Sequence, residues 1–281
     1  MEDVIKFEGI TASFKTLTDN KAIINVSPNQ IGKILLDWNK LDYSDIQVEI
    51  NENSTVEILE LNERFNAKIS YLLKENSNVK LNVFSKENAG DIEYEFLLEK
   101  GACLLVAYAD FTSGKKELKS SVKLNGPKAN CQFHLAALSR NDDHKTFTIN
   151  FDHLVGDTYA RMDNYGVCKN TATMNFLGDA LVRKGAKKAS TGQNAKIMLF
   201  DPTCHAKASP MLCIYENDIE AFHGASDGQI NQEHVFYLTS RGLSEEEAKR
   251  LITFGYLYPI MAYFNDENIK KDIEDCIVNR V

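Results

Sequence analysis

The sequence of 281 residues has little proline and glycine and no long apolar run. Five prolines and 15 glycines are too few for a low-complexity or collagen-like chain, so most residues are expected to form regular structure. No stretch is apolar enough to cross a membrane, and the first residues contain neither the basic nor the apolar segment of a signal peptide. We therefore expect a soluble, cytoplasmic protein with no membrane partner.

Positive charge is in the minority. The 32 lysines and arginines face 40 aspartates and glutamates, which gives a formal net charge of -8. A protein that binds a duplex by neutralising its phosphates needs the opposite balance. Nucleic acid is therefore not expected as a partner.

The six cysteines are sparse and contain no Cys-x-x-Cys pair. This density is far below that of a secreted disulfide-rich domain, so free thiols are expected. Cys204 lies in the polar segment from Asp201 to Lys207, where nearby cations favour an exposed and partly ionised thiolate, with a solvent-facing bystander as the alternative. The other five are interpreted as packing residues: Cys103, Cys131, Cys168, Cys213 and Cys276.

Common catalytic motifs are absent. The sequence has no nucleophile elbow, Walker A loop, GxGxxG turn or HExxH helix, so a self-sufficient hydrolase, kinase or dehydrogenase is not expected. Acidic residues could still supply the paired carboxylates of a polysaccharide lyase or hydrolase built on a β-helix. Aspartates in turns more often bond to local backbone, so this enzyme is kept only as the alternative. The residues concerned are Asp110, Asp142, Asp143, Asp152 and Asp157.

From about Ile46 to Phe222 the sequence consists of short runs in which apolar and polar residues alternate. Such alternation is typical of β-strands, and clusters of Asn, Gly, Asp and Ser between the runs predict turns. A sandwich and a solenoid both fit this pattern, so the alternation alone leaves the architecture open. Small residues at spacings of 27, 27 and 30 are compatible with solenoid coils and occur at Ala102, Ala129, Gly156 and Ala186.

Helix signals occur at both ends of the chain. Ser27 and Pro28 predict the start of a short helix through Ile31, Ile34 and Trp38. This helix falls in a mixed N-terminal region of residues 1–45, ahead of a β-rich core at 46–228.

Residues 229–281 are predicted to form a helical subdomain. Asn231 can cap a first helix that ends before Gly242, and Ser244 with Glu247 forms the capping box of a second. Pro259 should interrupt that helix, and a last one should follow Asp266.

Two residues are candidate metal ligands. His223 lies between Phe222 and Gly224, where the β pattern gives way to the helical one, and Cys204 supplies a thiol in the preceding turn. Imidazole and thiolate are ligands of soft metals and of iron-sulfur clusters. A histidine that satisfies a structural hydrogen bond is the alternative for His223.

At these residues the chain resembles the SufB/SufD family of iron-sulfur cluster assembly proteins, and is more similar to its SufD branch. The resemblance is strong over about 150–281 and extends to the earlier part only in pattern. It is carried by Asp152-His153, Asp157-Thr158, Val167-Cys168-Lys169-Asn170, Phe176-Leu177-Gly178, Lys184-Gly185-Ala186, Gln193, Pro210-Met211-Leu212, Glu216-Asn217-Asp218, His223-Gly224-Ala225 with Gly228, and Phe236-Tyr237-Leu238-Thr239-Ser240-Arg241-Gly242-Leu243.

The resemblance implies a mainly β fold, a right-handed parallel β-helix with a C-terminal α-helical subdomain. It also implies a non-catalytic scaffold component that dimerises through the β-helix, normally with SufB, and acts with the ABC-type ATPase SufC. The SufC-docking region would include Phe236, Tyr237, Arg241, Gly242 and Leu243. A homodimer, in an active or a purely structural form, is the alternative to the SufB heterodimer.

The resemblance implies a site as well. His223 would lie at the dimer interface and help to build a transient iron-sulfur cluster, and Cys204 matches a SufB cysteine by its offset of six residues before Pro210. A cysteine desulfurase system would take part indirectly, and a reduced flavin is a further cofactor that the resemblance allows in the complex.

Overall fold

The structure is a computed structural model that describes residues 5–38, 43–61, 66–87 and 90–280. Strands make up 57% of it and form a β-solenoid, and three α-helices follow at the C-terminal end. The predicted fold class, a mainly β solenoid with a C-terminal helical subdomain, is therefore confirmed.

Eighteen strands are found in the described part of the chain. In chain order they are β1 (Ile5–Glu8), β2 (Ala12–Thr18), β3 (Lys21–Val26), β4 (Ile31–Asp37), β5 (Asp45–Ile50), β6 (Thr55–Leu61), β7 (Ala67–Leu73), β8 (Asn78–Ser85), β9 (Asp91–Leu98), β10 (Cys103–Asp110), β11 (Lys115–Leu124), β12 (Asn130–Ser139), β13 (His144–His153), β14 (Tyr159–Cys168), β15 (Thr173–Val182), β16 (Ala189–Leu199), β17 (His205–Ile214) and β18 (Ile219–Gln229).

Successive strands alternate between two sheets. Sheet A has the order β1-β4-β6-β8-β10-β12-β14-β16-β18, and sheet B has the order β17-β15-β13-β11-β9-β7-β5-β3-β2. Strand β1 pairs antiparallel with β4 in sheet A, and β2 pairs antiparallel with β3 in sheet B. The other neighbouring strands pair in parallel. From β3 onward, each coil of the solenoid therefore contributes one strand to each sheet.

The coils lengthen toward the C-terminal end. Residues that pair in register are separated by 23 positions from Thr55 to Asn78 and by 31 positions from Tyr159 to Ser190. The strands lengthen as well, from 6 residues in β5 to 11 residues in β18. The sequence spacings of 27 to 30 residues thus matched the later coils, although Gly156 does not occupy the stacked position that Ala102 and Ala129 share.

The same turn in successive coils contains a residue with a left-handed backbone conformation. Asn53, Asn76 and Gly101 have φ values of 56°, 56° and 67°, and each backbone N–H donates to a carbonyl of the next coil. Asparagine and glycine tolerate positive φ with little strain, so the Asn- and Gly-containing turns of the sequence fall where the solenoid requires this conformation.

The interior is packed by inward-facing side chains at every second position, and several ionisable side chains are buried with their partners. Glu60 accepts hydrogen bonds from Trp38 Nε1 at 3.1 Å, from the Tyr94 hydroxyl at 2.7 Å and from the Tyr71 hydroxyl. These partners replace the water that a buried carboxylate loses.

The Asp110 carboxylate is also buried and lies between two lysines. Lys116 Nζ is 2.6 Å from Oδ2, and Lys145 Nζ is 2.6 Å from Oδ1 and also donates to the carbonyl oxygens of Thr112 and Leu138. The two ammonium groups hold the pKa of Asp110 below its usual value against the opposing effect of burial, and burial lowers the pKa of Lys145.

The predicted N-terminal helix is wrong. Ile31 to Asp37 form β4, which pairs in parallel with β6, and the parallel pairing reaches back to Lys21 in β3. Ile34 and Trp38 fit a helical spacing, but Ile34, Leu36 and Trp38 are buried at period two, as on a strand. The solenoid therefore begins before residue 46.

The helical subdomain agrees with its predicted caps. It comprises α1 (Gln232–Ser240), α2 (Glu245–Leu257), a 3₁₀ turn (Tyr258–Tyr263) and α3 (Glu267–Arg280). Asn231 caps α1, Ser244 and Glu247 form both bonds of the capping box, and Pro259 lies in the 3₁₀ turn that ends α2.

These helices pack on the outer face of sheet A. Their apolar side chains form one cluster with Phe84, Phe111 and Val167. Arg280 binds the carbonyl oxygens of Lys86 and Phe111, and Lys86 Nζ is 2.6 Å from Asp272 Oδ2. No helix in the described ranges has both the length and the apolar character to span a membrane.

Candidate functional site at the open end of the solenoid

The last coil, formed by β17 and β18, ends both sheets. Strand β17 pairs with β15 and β18 pairs with β16, and no strand within the described residues covers their other edges. Most side chains of β18 are exposed, whereas β13 buries every second residue completely or nearly so. The solenoid is therefore open at this end, with two unpaired strand edges side by side.

Large apolar side chains are exposed on this coil. Met211 is 55% exposed, Ile214 36%, Tyr215 68% and Phe222 45%. An uncovered strand edge with apolar side chains is a template for pairing with another chain. The open end thus has the properties of an interaction surface.

His223 is an exposed residue of β18, as expected for a residue that could bind a ligand. His223 is paired in register with Gln193 of β16, and Gln193 is paired with Met162 of β14. Both Gln193 and Met162 are buried in the solenoid. Because paired positions of parallel strands share a face, His223 belongs to the inward-facing row. Its position on the terminal strand leaves the ring accessible.

Phe222, the neighbour of His223, is held on the outer face of sheet A. The Arg161 guanidinium stacks on the Phe222 ring at 4.1 Å, and Arg161 Nε donates to the Tyr159 hydroxyl at 3.1 Å. Gly192, paired between Arg161 and Phe222, leaves room for this stack, because a Cβ there would collide with both side chains. Sequence reasoning missed this contact, since the three residues align only once the coil lengths of 31 and 30 are known.

The expected exposure of Cys204 is wrong. Cys204 is only 7% exposed and belongs to the main core cluster, and its thiol donates to the Asn170 carbonyl at 3.4 Å. The polar turn of residues 201–203 comes just before Cys204 in the sequence, but the preceding coil covers the Cys204 thiol in the fold. The fold therefore does not place this thiol at the surface.

Cys204 instead lies beside Cys168. The Cys168 thiol donates to the Ala172 carbonyl at 3.1 Å, and its pKa is raised by burial, then by the charge of Cys204 and by a hydrogen bond to it. Both thiols thus lie next to backbone carbonyls of one turn, that of residues 169–172.

His223 and Cys204 share the last coil but are not brought into a common ligand set. Cys204 precedes the first residue of β17, whereas His223 is the fifth residue of β18. Among the residues that the structure describes, no group of three or more His, Cys, Asp or Glu side chains is arranged to hold a metal ion. The metal-ligand roles of both residues stay predictions.

The other cysteines fall into two groups. Cys131, Cys168 and Cys276 are buried, as packing residues should be, and Cys103 is partly exposed. Cys213 is also partly exposed on β17, and its pKa is raised by a hydrogen bond to Asp179 and by the charge of that carboxylate. Cys213 was predicted to be a packing residue because its sequence neighbours are apolar. Its partial exposure results from the terminal position of β17 in sheet B.

Several of the aspartates proposed for a carbohydrate enzyme have structural contacts. Asp110 is completely buried between its two lysines, Asp143 accepts from the backbone N–H groups of Gly114 and Arg140, and Asp152 binds Arg183 through two hydrogen bonds of 2.8 Å. Asp157 occupies a turn with φ of 57°. These contacts do not favour the lyase or hydrolase.

The residues proposed for SufC docking lie at the start of the helical subdomain. Phe236 is 74% and Tyr237 57% exposed on α1, and the Arg241 guanidinium lies 5.3 Å from the Tyr237 ring. Gly242 has φ of 98° and allows the chain to turn between α1 and α2, and Leu243 is half-buried in that turn. The group is continuous along the chain with β18.

Comparison with curated proteins finds relatives that are named iron-sulfur cluster assembly proteins. SufD of Bacillus subtilis (strain 168) is 31% identical over 144 residues, which cover 51% of this chain and 33% of the relative. SufD of Escherichia coli (strain K12) is 23% identical over 154 residues, 55% of this chain and 36% of the relative. SufB of Bacillus subtilis is 21% identical over 220 residues, 76% of this chain and 47% of the relative.

The chain thus spans between a third and a half of the length of these relatives. The family model described as the SufBD core domain of SUF system iron-sulfur cluster assembly matches residues 36–256, which include most of the solenoid, the open end and α1. On this match, which covers well over half of its residues, the chain belongs to the SufB/SufD family of the SUF iron-sulfur cluster assembly system.

Proposed function

We propose that the chain is a SufD-like, non-catalytic subunit of an iron-sulfur assembly scaffold that dimerises through its last coil with a SufB-type solenoid. The observation that supports this most directly is the pair of open strand edges on β17 and β18, with exposed apolar side chains around them. A second solenoid can continue both sheets across this end, because its own terminal strands would offer matching backbone donors and acceptors.

In this assembly His223 would lie at the junction of the two solenoids. Pairing would cover the exposed imidazole and exclude water from it. A neutral imidazole is a good ligand for iron, and thiolates from the facing chain would supply the softer ligands that a nascent cluster needs. The cluster is the cargo of the scaffold, held between two chains, and this chain contributes one side of its site.

The helical subdomain would connect this site to the ATPase. Only Ile230 and Asn231 separate the end of β18 from the start of α1, which exposes Phe236 and Tyr237. An ABC-type ATPase that docks on these aromatic side chains and moves α1 would act directly on the strand that carries His223. ATP hydrolysis could then expose or bury the site between the two solenoids.

The experiment that tests the role of His223 is its replacement by alanine in a reconstituted complex with SufB and SufC. We expect the His223→Ala complex to assemble normally but to accumulate no iron and acid-labile sulfide. His144→Ala is the matched control, because His144 is also exposed but lies on β13, away from the open end. An unchanged cluster yield in His223→Ala would reject the proposed site.

The dimer partner needs a separate measurement. Native mass spectrometry of the chain alone and mixed with SufB should show a heterodimer that replaces any homodimer. A homodimer that persists in the presence of SufB and accumulates clusters by itself would favour the homodimeric alternative. A complex that assembles but depends in no way on His223 would favour a purely structural subunit.

A further inference from the structure

A small cavity lies between the outer face of sheet A and the helical subdomain, with a volume of about 210 Å³. Its solenoid wall includes the outward-facing residues His134 of β12 and Asp163 and Tyr165 of β14. Its helical wall includes Tyr256 of α2 and Tyr263 of the 3₁₀ turn. An engineered cavity of about 150 Å³ holds benzene, so this cavity has room for a ligand of that size.

Four of the lining residues carry aromatic rings, which contact one another in two pairs. The rings of His134 and Tyr263 stack with centroids 4.2 Å apart and an interplanar angle of 18°. The rings of Tyr165 and Tyr256 meet edge to face at 5.4 Å. Each pair joins a ring of the solenoid to a ring of the helical subdomain, so the aromatic lining comes equally from both walls.

The charge at the cavity is negative. Among the described residues that line it, Asp163 is the one acidic side chain, and no lysine or arginine is present. Asp163 Oδ1 accepts a hydrogen bond from Asn194 Nδ2 at 2.9 Å, whereas Oδ2 is 3.8 Å from His134 Nδ1, too far for a hydrogen bond. Lys196 lies beside the cavity, with its Nζ 5.7 Å from the centroid of the Tyr165 ring.

The imidazole of His134 adds no positive charge to the cavity at neutral pH. Burial lowers the pKa of His134 against the opposing charge of Asp163, so the ring is neutral. Its Nε2 is buried and has no hydrogen-bond partner within the described residues. Burial also raises the pKa of Tyr263, and the charge of Asp163 adds to this effect. The cavity thus combines one carboxylate with neutral rings, which disfavours an anionic ligand.

We propose that this cavity binds a small organic cation of the alkylammonium class, with its charge beside Asp163 and its alkyl groups against the tyrosine rings of both walls. The face of an aromatic ring carries partial negative charge and attracts cations, and cages of such rings recognise quaternary ammonium groups. The site lies on the outer face of sheet A, away from the inward-facing row that contains His223, and it is independent of the function proposed above.

The test is calorimetric titration of the full chain with tetramethylammonium chloride at about pH 8, where His134 is neutral. Sodium chloride keeps the ionic strength constant, and tert-butanol serves as an uncharged ligand of similar size. We expect saturable binding of one tetramethylammonium ion per chain. The affinity for tert-butanol should be at least about tenfold lower, because the alcohol gains neither the attraction of the rings nor that of the carboxylate.

Two variants assign the binding to this cavity. Asp163→Asn removes the charge but keeps an acceptor for Asn194, and Tyr263→Leu removes one ring. Each should weaken tetramethylammonium binding by about tenfold. Tyr258→Leu is the matched control, because Tyr258 belongs to the same 3₁₀ turn and is 49% exposed but does not line the cavity. This control should leave the affinity unchanged.

Lys196→Gln should change the affinity in the opposite direction. It removes a competing cation from the Tyr165 ring, so tetramethylammonium should bind about twofold more tightly. The proposal is overturned if the wild type shows no saturable binding, if tert-butanol binds as tightly as the cation, or if Asp163→Asn has the wild-type affinity. Far-UV circular dichroism checks the fold of each variant, and if Tyr263→Leu loosens the 3₁₀ turn, the partly exposed Asp163 decides the question by itself.

Discussion

Strand β13 in the middle of the solenoid and strand β18 at its end are built to the same plan but have opposite exposure. In β13 the inward residues Phe147, Ile149 and Phe151 are at most 1% exposed, because a further coil covers them. In β18 the equivalent inward row includes His223 and is open to solvent. The last coil is therefore an ordinary coil that no further strand of the described residues covers.

The largest difference between the two regions should appear when the same side chain is truncated in each. Phe147→Ala removes a ring that packs edge to face against Phe176 and Tyr108, and should lower the free energy of unfolding by about 3–5 kcal/mol. Phe222→Ala removes a ring that is 45% exposed and should cost about 1 kcal/mol or less, mostly through the lost stack with Arg161.

Urea unfolding of both variants measures the contrast. The free energies should be compared at equal m-values, so that the unfolding of the whole solenoid is measured in each case. Equal losses of stability in the two variants would show that the last coil is packed as tightly as the middle one.

Buried charge gives a second comparison. Asp110→Ala would leave the ammonium groups of Lys116 and Lys145 in the interior without their carboxylate, and should cost about 3–5 kcal/mol. Asp152→Ala breaks the pair with Arg183, whose side chain is 51% exposed, and should cost about 1 kcal/mol or less. Added salt should weaken only the Arg183–Asp152 pair, and a similar salt dependence of the two variants would contradict the assigned burial.

The sequence predicted the repeating part of the molecule well, for reasons that are local. Alternation along one strand shows which side chains face inward, and the caps at Asn231 and Ser244 depend on residues within one helical turn. The helix prediction for β4 was wrong because Ile31, Ile34 and Trp38 fit a helical spacing as well. The strand conformation of β4 depends on pairing with β6, which lies more than 20 residues away in the sequence.

The site was less predictable, because it depends on contacts between coils. The segment around Cys204 is polar, but the cover of its thiol comes from Asn170, 34 residues earlier. His223 and Gln193 both belong to the segments that resemble the family, but nothing in the sequence places them side by side. A buried amide beneath an exposed imidazole becomes visible only when the register of β16 and β18 is known.

The pH dependence of stability tests the packing of the middle coils. His153 in β13 is completely buried, its Nδ1 lies 2.8 Å from Thr158 Oγ1, and burial lowers its pKa to about 4 despite the nearby charge of Asp152. The unfolded chain, with an ordinary histidine pKa of about 6.5, binds the proton first as the pH falls. Stability should therefore decrease from about pH 6.5 down to pH 4, by roughly 3 kcal/mol for this group.

The measurement is the free energy of unfolding across that pH range in the wild type and in His153→Gln. The glutamine at position 153 should lower stability at neutral pH but flatten the pH dependence, because it removes the group that protonates on unfolding. A slope that survives in His153→Gln would assign the pH dependence to other groups.

The smallest effect on stability is expected at the open edge, where the effect on assembly should be greatest. Met211 is 55% exposed on β17, so Met211→Lys should change the free energy of unfolding by no more than about 0.5 kcal/mol. Buried in a dimer, the new charge would face apolar side chains without a partner, and association with SufB should be lost. Ile31→Lys is the matched control, since Ile31 is 76% exposed but lies on β4, far along the stack of strands from the last coil. If Ile31→Lys prevents the dimer and Met211→Lys does not, the partner binds at the N-terminal coils, and the open end at β17 and β18 is a free surface.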